Sequence, residues 1–173
     1  MKKCGGLPVN MDLSGLTYRK DPLPYDREII REIVDSTGFF SEEEVGIAVE
    51  LVDERLSKGI PSGYHFLFAE SDGRVIGYTC FGPIPGTMES YDLYWIAVRN
   101  DLRGAGIGRK LMQASEAEIM RMGGKRIYVD TSSRELYKPT HVFYRNSGYK
   151  EEALLKDFYS PGDDKLIFVK VVQ

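Results

Sequence analysis

The segment Leu93 to Met112, LYWIAVRNDLRGAGIGRKLM, constrains this chain more than any other. It begins within a stretch from about Glu89 to Val98 whose centre, LYWIAV, is nearly all apolar, as suits a strand buried on both faces. A Gly-rich turn, RGAGIG, follows at once. From about Ile107 to Met122 the residues Leu111, Ala114, Ile119 and Met122 then make one apolar side of a helix, stopped by Gly123-Gly124. A buried strand that passes through a tight turn into an amphipathic helix is the building unit of an α/β domain.

The flanking elements agree with that unit. Leu16 to Lys20 reads as a short strand, and Tyr25 to Asp35 as a helix with Ile29, Ile30, Ile33 and Val34 at helical spacing. Ser41 and Glu44 have the form of a capping box, with Phe40 and Val45 placed for a hydrophobic staple. Val45, Val49, Val52 and Leu56 continue that second helix to Gly59 and Pro61. HFLFAE and RVIGYTCFG flank Ser71-Asp72-Gly73, a hairpin signal. RIYVD (126–130) is another strand, Thr140 to Asn146 a short helix with Pro139 in its first turn, and Tyr149–Leu155 and Lys165–Val172 two closing strands. The predicted order is β-α-α-β-β-β-α-β-α-β-β: a single α/β domain over residues 16–173 with a mixed sheet, preceded by a leader (1–15) open to fraying.

Composition narrows the class of function. With 173 residues the chain holds one domain with a real core. A net charge of -3 without a basic block argues against a nucleic-acid surface. No stretch reaches the length of a membrane helix, and the N-terminus lacks the apolar region of a signal peptide, so a soluble, cytoplasmic protein is expected. The two cysteines, Cys4 and Cys80, show no metal-ligand spacing, and the two histidines lie far apart, so no metal site is expected. Cys80 reads as a small buried hydrophobe, and His141 as a helix-surface residue.

The chemistry concentrates in the Gly-rich turn. A strand-to-helix turn exposes backbone N–H groups that have no intrahelical partner, and the helix dipole adds positive potential there. Glycines remove the Cβ atoms that would obstruct a ligand, and Arg103 and Arg109 supply cationic donors. This is an anion site suited to a pyrophosphate. A P-loop is excluded because GxxxxGK[ST] is absent, and the spacing G-x-G-x-G is not that of a dinucleotide fingerprint. A nucleotide-phosphate binder using the same turn is a third reading.

At Arg103, Gly106 and Gly108 this segment resembles motif A of the GNAT acetyltransferase superfamily, [QR]-x-x-G-x-[GA], and FYRNSGY (143–149) resembles the family's FYxxxGF landmark. The element order matches as well, so the resemblance covers nearly the whole chain. It implies a splayed sheet, with acetyl-coenzyme A wedged between the strand before motif A and the next parallel strand. Its pantetheine arm would bond the backbone of Ile96, Ala97 and Val98, and its pyrophosphate would lie on Arg103, Gly104, Ala105, Gly106, Ile107, Gly108 and Arg109. No metal is implied.

The resemblance further implies that Tyr144 protonates the departing thiolate. The base that frees the attacking amine is expected among three carboxylates: Asp92, eleven residues before Arg103 as in histone-type members; Asp130, at the end of the next strand as in N-terminal acetylating members; and Glu89. By simple alternation Asp92 and Tyr94 share one strand face, with Trp95 on the other. Where many members carry an asparagine seven residues before the FY tyrosine, this chain has Tyr137, so that contact does not transfer. GPIPGTMESYD (82–92) and DFYSPGDD (157–164) are candidate walls of an acceptor pocket. The expected activity is acetyl transfer to a primary, cationic amine of unidentified identity. A catalytically silent coenzyme A sensor is the rival reading, and a homodimer is left open.

Overall fold

The computed structural model describes residues 13–173. The expectation of a frayed leader therefore falls largely outside the described residues, as does Cys4; Leu13–Gly15 form one 3-10 turn. The elements follow the predicted order: β1 (Thr17–Arg19), α1 (Asp26–Ser36), α2 (Glu42–Lys58), β2 (His65–Ser71), β3 (Arg74–Pro83), β4 (Ser90–Val98), α3 (Ile107–Arg121), β5 (Arg126–Ser132), α4 (Lys138–Asn146), β6 (Lys150–Ser160) and β7 (Asp163–Val171). The local signals explain the boundaries. Ser41 and Glu44 form the reciprocal capping box, Ser41 Oγ accepting from Glu44 N–H at 3.3 Å and Glu44 Oε2 from Ser41 N–H at 2.7 Å. Asp72 (φ 51°) and Gly73 (φ 73°) make the tight β2–β3 turn with both central residues left-handed.

The strands form one seven-stranded sheet in the order β1-β2-β3-β4-β5-β7-β6. Every neighbouring pair is antiparallel except β4 and β5, which run parallel. That pair is held by three residue partners only: Ser90↔Arg126, Tyr91↔Ile127 and Asp92↔Tyr128. Beyond them β4 continues to Val98 and β5 to Ser132 with no pairing between them, so the sheet opens there.

Two hydrophobic clusters cover the two faces. One, containing Leu93, Ile107, Leu111, Met112, Ile127, Tyr144 and Phe168, seats α3 and α4; the other, containing Ile30, Ile33, Val45, Val52, Phe68, Tyr78 and Cys80, seats α1 and α2. Cys80 is buried as expected. His141 is not a surface residue: it is buried, with Nε2 2.9 Å from the Ser132 carbonyl oxygen, and so ties α4 to the end of β5.

The alternation expected along β4 also needs correction. The register with β3 jumps from Trp95 (partner Cys80) to Leu93 (partner Phe81), which leaves Tyr94 as the extra residue of a β-bulge. Leu93 therefore belongs to the α3-side core while Trp95 packs on the α1–α2 side, where strict alternation would put both on one face. Tyr94 itself is exposed, so β4 is not buried on both faces. Gly82 lies opposite Asp92, and a Cβ there would meet the Gly63 carbonyl oxygen at 2.1 Å. Because the obstacle is backbone, Gly82→Ala is expected to destabilise the fold by about 1–3 kcal/mol, as measured by urea unfolding.

Candidate active site

Where β4 and β5 part, a cleft of about 820 Å³ opens between them. One wall is Tyr94, Trp95, Ile96, Ala97 and Val98 of β4; the other is Asp130, Thr131 and Ser132 of β5. Main-chain groups of β4 that point away from β3 have no strand partner beyond Asp92, which makes that inner edge a template for an extended, amide-bearing ligand.

The far end of the cleft is the turn into α3. A 3-10 turn over Asn100–Leu102 is followed by Gly104 (φ 81°) and Gly106 (φ 83°), both in the left-handed region that favours glycine. Gly106 stands at the N-cap without a side-chain hydrogen bond, and the first helical bond is Lys110 N–H to the Gly106 carbonyl. The amides of Ile107, Gly108 and Arg109 thus face the cleft mouth without a capping side chain, at the positive end of a 15-residue helix. A Cβ on Gly108 would stand 3.5 Å from the Phe143 ring, so the floor here is closed by an aromatic side chain.

Most of the residues singled out in the sequence converge on this cleft. Ile96, Ala97, Val98, Arg103, Gly104, Gly106, Ile107, Gly108, Arg109, Asp130, Tyr137 and Tyr144 all line it. Ala105 does not; it packs against the α3-side core. Glu89 does not either: it is paired with Lys125 at the closed end, and its carbonyl accepts from the N–H groups of Lys125 and Arg126. Asp92 lies just outside the lining, below the Tyr94 bulge. Of the two candidate wall stretches, 82–92 contributes no lining residue, whereas 157–164 contributes Tyr159 and Asp163.

Tyr144 is 5% exposed, packed on Tyr149 and Phe168, and its hydroxyl makes no hydrogen bond among the described residues. Burial raises its pKa, so the phenol keeps its proton. Asp92 is half-buried and unpaired among the described residues; burial raises its pKa, the neighbouring Asp130 adds to that, and Lys165 opposes it. Tyr94, beside Asp92 and edge-on to Tyr64, is pushed up to about 12 by burial and then by the Asp92 charge. Thr131 Oγ1 lies on the β5 wall as a buried hydroxyl without a partner. No cluster of three or more metal-ligating side chains occurs among the described residues, and no described helix is long and apolar enough to cross a membrane.

Sequence reasoning missed the roof. Phe39, between α1 and α2, lies under the Arg103 guanidinium (4.6 Å to the ring centroid) and 6.1 Å from the Tyr137 ring. Tyr137 Oη donates to the Phe39 carbonyl at 3.4 Å, and Phe40 packs edge-on to Trp95. Glu44, the capping-box carboxylate, lines the cleft too. The capping box marked where α2 starts, but nothing local says that this start faces another element.

The comparisons agree with this geometry. Residues 62–151 match the family described as Acetyltransferase (GNAT) domain. The chain belongs to the GNAT acetyltransferase family. A crystal structure of a GNAT-family protein from Desulfovibrio desulfuricans is 44% identical, covering 91% of this chain and 99% of that one with a TM-score of 0.89. An uncharacterized N-acetyltransferase of Methanocaldococcus jannaschii is 31% identical over 107 residues, 61% of this chain and 65% of that protein's length. A GNAT family acetyltransferase from Elizabethkingia anophelis, solved with acetyl-CoA bound, shares the fold at a TM-score of 0.66 and 17% identity, over 92% of this chain and 99% of that one.

The roof has a measurable consequence. Phe39→Ala removes a half-buried ring worth about 1 kcal/mol. Amide exchange over residues 37–41 is expected to quicken roughly fivefold while that of β4 stays unchanged, as read by hydrogen–deuterium exchange.

Proposed function

We propose that this protein transfers the acetyl group of acetyl-coenzyme A to a primary amine, by direct attack in a ternary complex. The observation that carries the reading is the union, in one cleft, of an unpaired strand edge with an uncapped, glycine-lined helix N-terminus. The first suits the amides of a pantetheine arm, the second a pyrophosphate. Ile96, Ala97 and Val98 would hold the arm, and Arg103 to Arg109 the pyrophosphate. Tyr137 would border the arm, in place of an asparagine.

The thioester supplies an activated carbonyl, which the neutral amine attacks. A backbone N–H of β4 then polarises the tetrahedral oxyanion. Tyr144 donates its proton to the leaving sulfur. Its burial is consistent with that role, because a thiolate formed in the same desolvated pocket is equally short of solvation and has a matching need for the proton. Asp92 accepts the amine's proton through an intervening water. Asp130 and Glu89 are less suited, since each already carries an ion pair. Carboxylates and tyrosines at the mouth favour a cationic acceptor.

Two measurements test the reading. At a hundred times its dissociation constant, coenzyme A or acetyl-coenzyme A should stabilise the fold by about 2.7 kcal/mol, seen as a raised Tm, with no shift from ATP or NADH. Stabilisation by the nucleotides alone would overturn the assignment of the cleft. Tyr144→Phe should lower kcat by about a hundredfold while acetyl-coenzyme A affinity by calorimetry changes little; an unchanged rate removes Tyr144 from the mechanism.

A further inference from the structure

Three carboxylates line the cleft, Glu44, Asp130 and Asp163, and a fourth, Asp92, lies just outside the lining beside Asp130. Three of them are engaged. Glu44 accepts from the Ser41 N–H in the capping box. Asp163 accepts from Ser132 Oγ at 2.5 Å and pairs with Arg134 at 3.1 Å. Asp130 pairs with Lys165, Nζ to Oδ2 at 2.5 Å. Only Asp92 has no hydrogen bond or ion pair among the described residues.

Asp92 and Asp130 are neighbours by construction. Asp92 is the last residue of β4 in register with β5, opposite Tyr128, and Asp130 follows Tyr128 on the same face two residues along. The two carboxylates therefore face each other diagonally at the point where the strands part. Lys165 reaches this point from β7, where it is the register partner of Ser132.

The hairpin holds Lys165 there. Pairing of β6 with β7 skips from Leu155↔Lys165 to Ser160↔Asp163, so residues 156–159 bulge out of the ladder. Asp157 turns that excursion with φ 52°: its N–H donates to Asp164 Oδ1 at 2.8 Å, and its Oδ1 accepts from Gly162 N–H at 2.6 Å. The excursion sets the Phe158 ring 4.0 Å from Lys165 Nζ and turns Tyr159 into the cleft. Lys165 is thus clasped between one carboxylate and one aromatic face, with its side chain 16% exposed.

We infer that Lys165 is a positioning residue for acetyl transfer: by clasping Asp130 it leaves Asp92, beside the cleft, as the carboxylate without an ion pair, and so selects Asp92 as the acceptor of the amine's proton. The inference rests on the function proposed above. Asp130 is 43% exposed and Lys165 16%, so the pair is partly screened and contributes little to stability, while the Lys165 charge still acts on Asp92. The groups facing Asp92 are Asp130 from β5, Lys165 from β7, Tyr94 on its own strand and, behind Tyr94, Tyr64 ahead of β2. Removing the Lys165 charge exposes Asp92 to an unneutralised Asp130, which holds a proton on Asp92 to higher pH. Removing the Asp130 charge acts in the opposite direction.

The test titrates the Asp92 side-chain carboxyl by carbon-13 NMR in the intact protein. Lys165→Met should raise its midpoint by about 0.5–1 pH unit, Lys165→Arg should restore it, and Asp130→Asn should lower it. The acidic limb of kcat for a panel of amines should move in step. The arginine variant keeps the ion pair and guards against a folding defect. An Asp92 midpoint indifferent to Lys165→Met, or an arginine variant behaving like methionine, overturns the inference while leaving acetyl transfer intact. A wild-type enzyme that acetylates no amine overturns both.

Discussion

Everything functional in this structure depends on one short parallel contact. β4 and β5 share three residue pairs and then separate, while β5 stays laddered to β7 and β4 to β3 on either side of the Tyr94 bulge. α3 and α4 are both seated in the core on one face, and the turn into α3 begins close after β4 ends. A sheet left open in this way leaves main-chain donors and acceptors without protein partners. In this fold the unpaired edge borders the cleft, and the uncapped N-terminus of α3 lies at its end.

The electrostatics of the cleft follow from how its charges are partitioned. Of the acidic groups in and beside the cleft, Glu44, Asp130 and Asp163 are tied to a cation, a hydroxyl or a backbone amide. Asp92 has no such partner among the described residues, and burial and the Asp130 charge raise its pKa against the pull of Lys165. Burial acts on the tyrosines in the same direction: Tyr94 and Tyr159 are each held up to about 12, chiefly by burial, so these phenols remain neutral.

Three elements distant in sequence meet over the cleft through aromatic and cationic side chains. Arg103 of the α3 turn, Phe39 between α1 and α2, and Tyr137 ahead of α4 touch in succession. The glycine-rich turn and the Phe39–Tyr137 roof are consequently in contact. The β4 bulge at Tyr94 works on the same scale, since one extra residue moves Trp95 to the roof side against Phe40.

The sequence by itself determined the elements and the glycine-rich turn into α3. Apolar periodicity, the Ser41–Glu44 box, the Asp72-Gly73 turn and the G-x-G-x-G run are local signals, and local backbone energetics suffice to realise them. The places of Tyr144 and the β4 residues in a family pattern were legible in the sequence, and the structure sets them along one cleft. What only the tertiary structure decided is which side chains meet. His141 was read as exposed because its own helix says nothing of the β5 end it is buried against. Trp95 was given the wrong face because a bulge is a property of two strands, not one. Asp92, Asp130 and Glu89 look alike in one dimension. Their difference lies in Lys165 and Lys125, which form ion pairs with Asp130 and Glu89, whereas Asp92 forms none among the described residues and feels Lys165 only as a neighbouring charge.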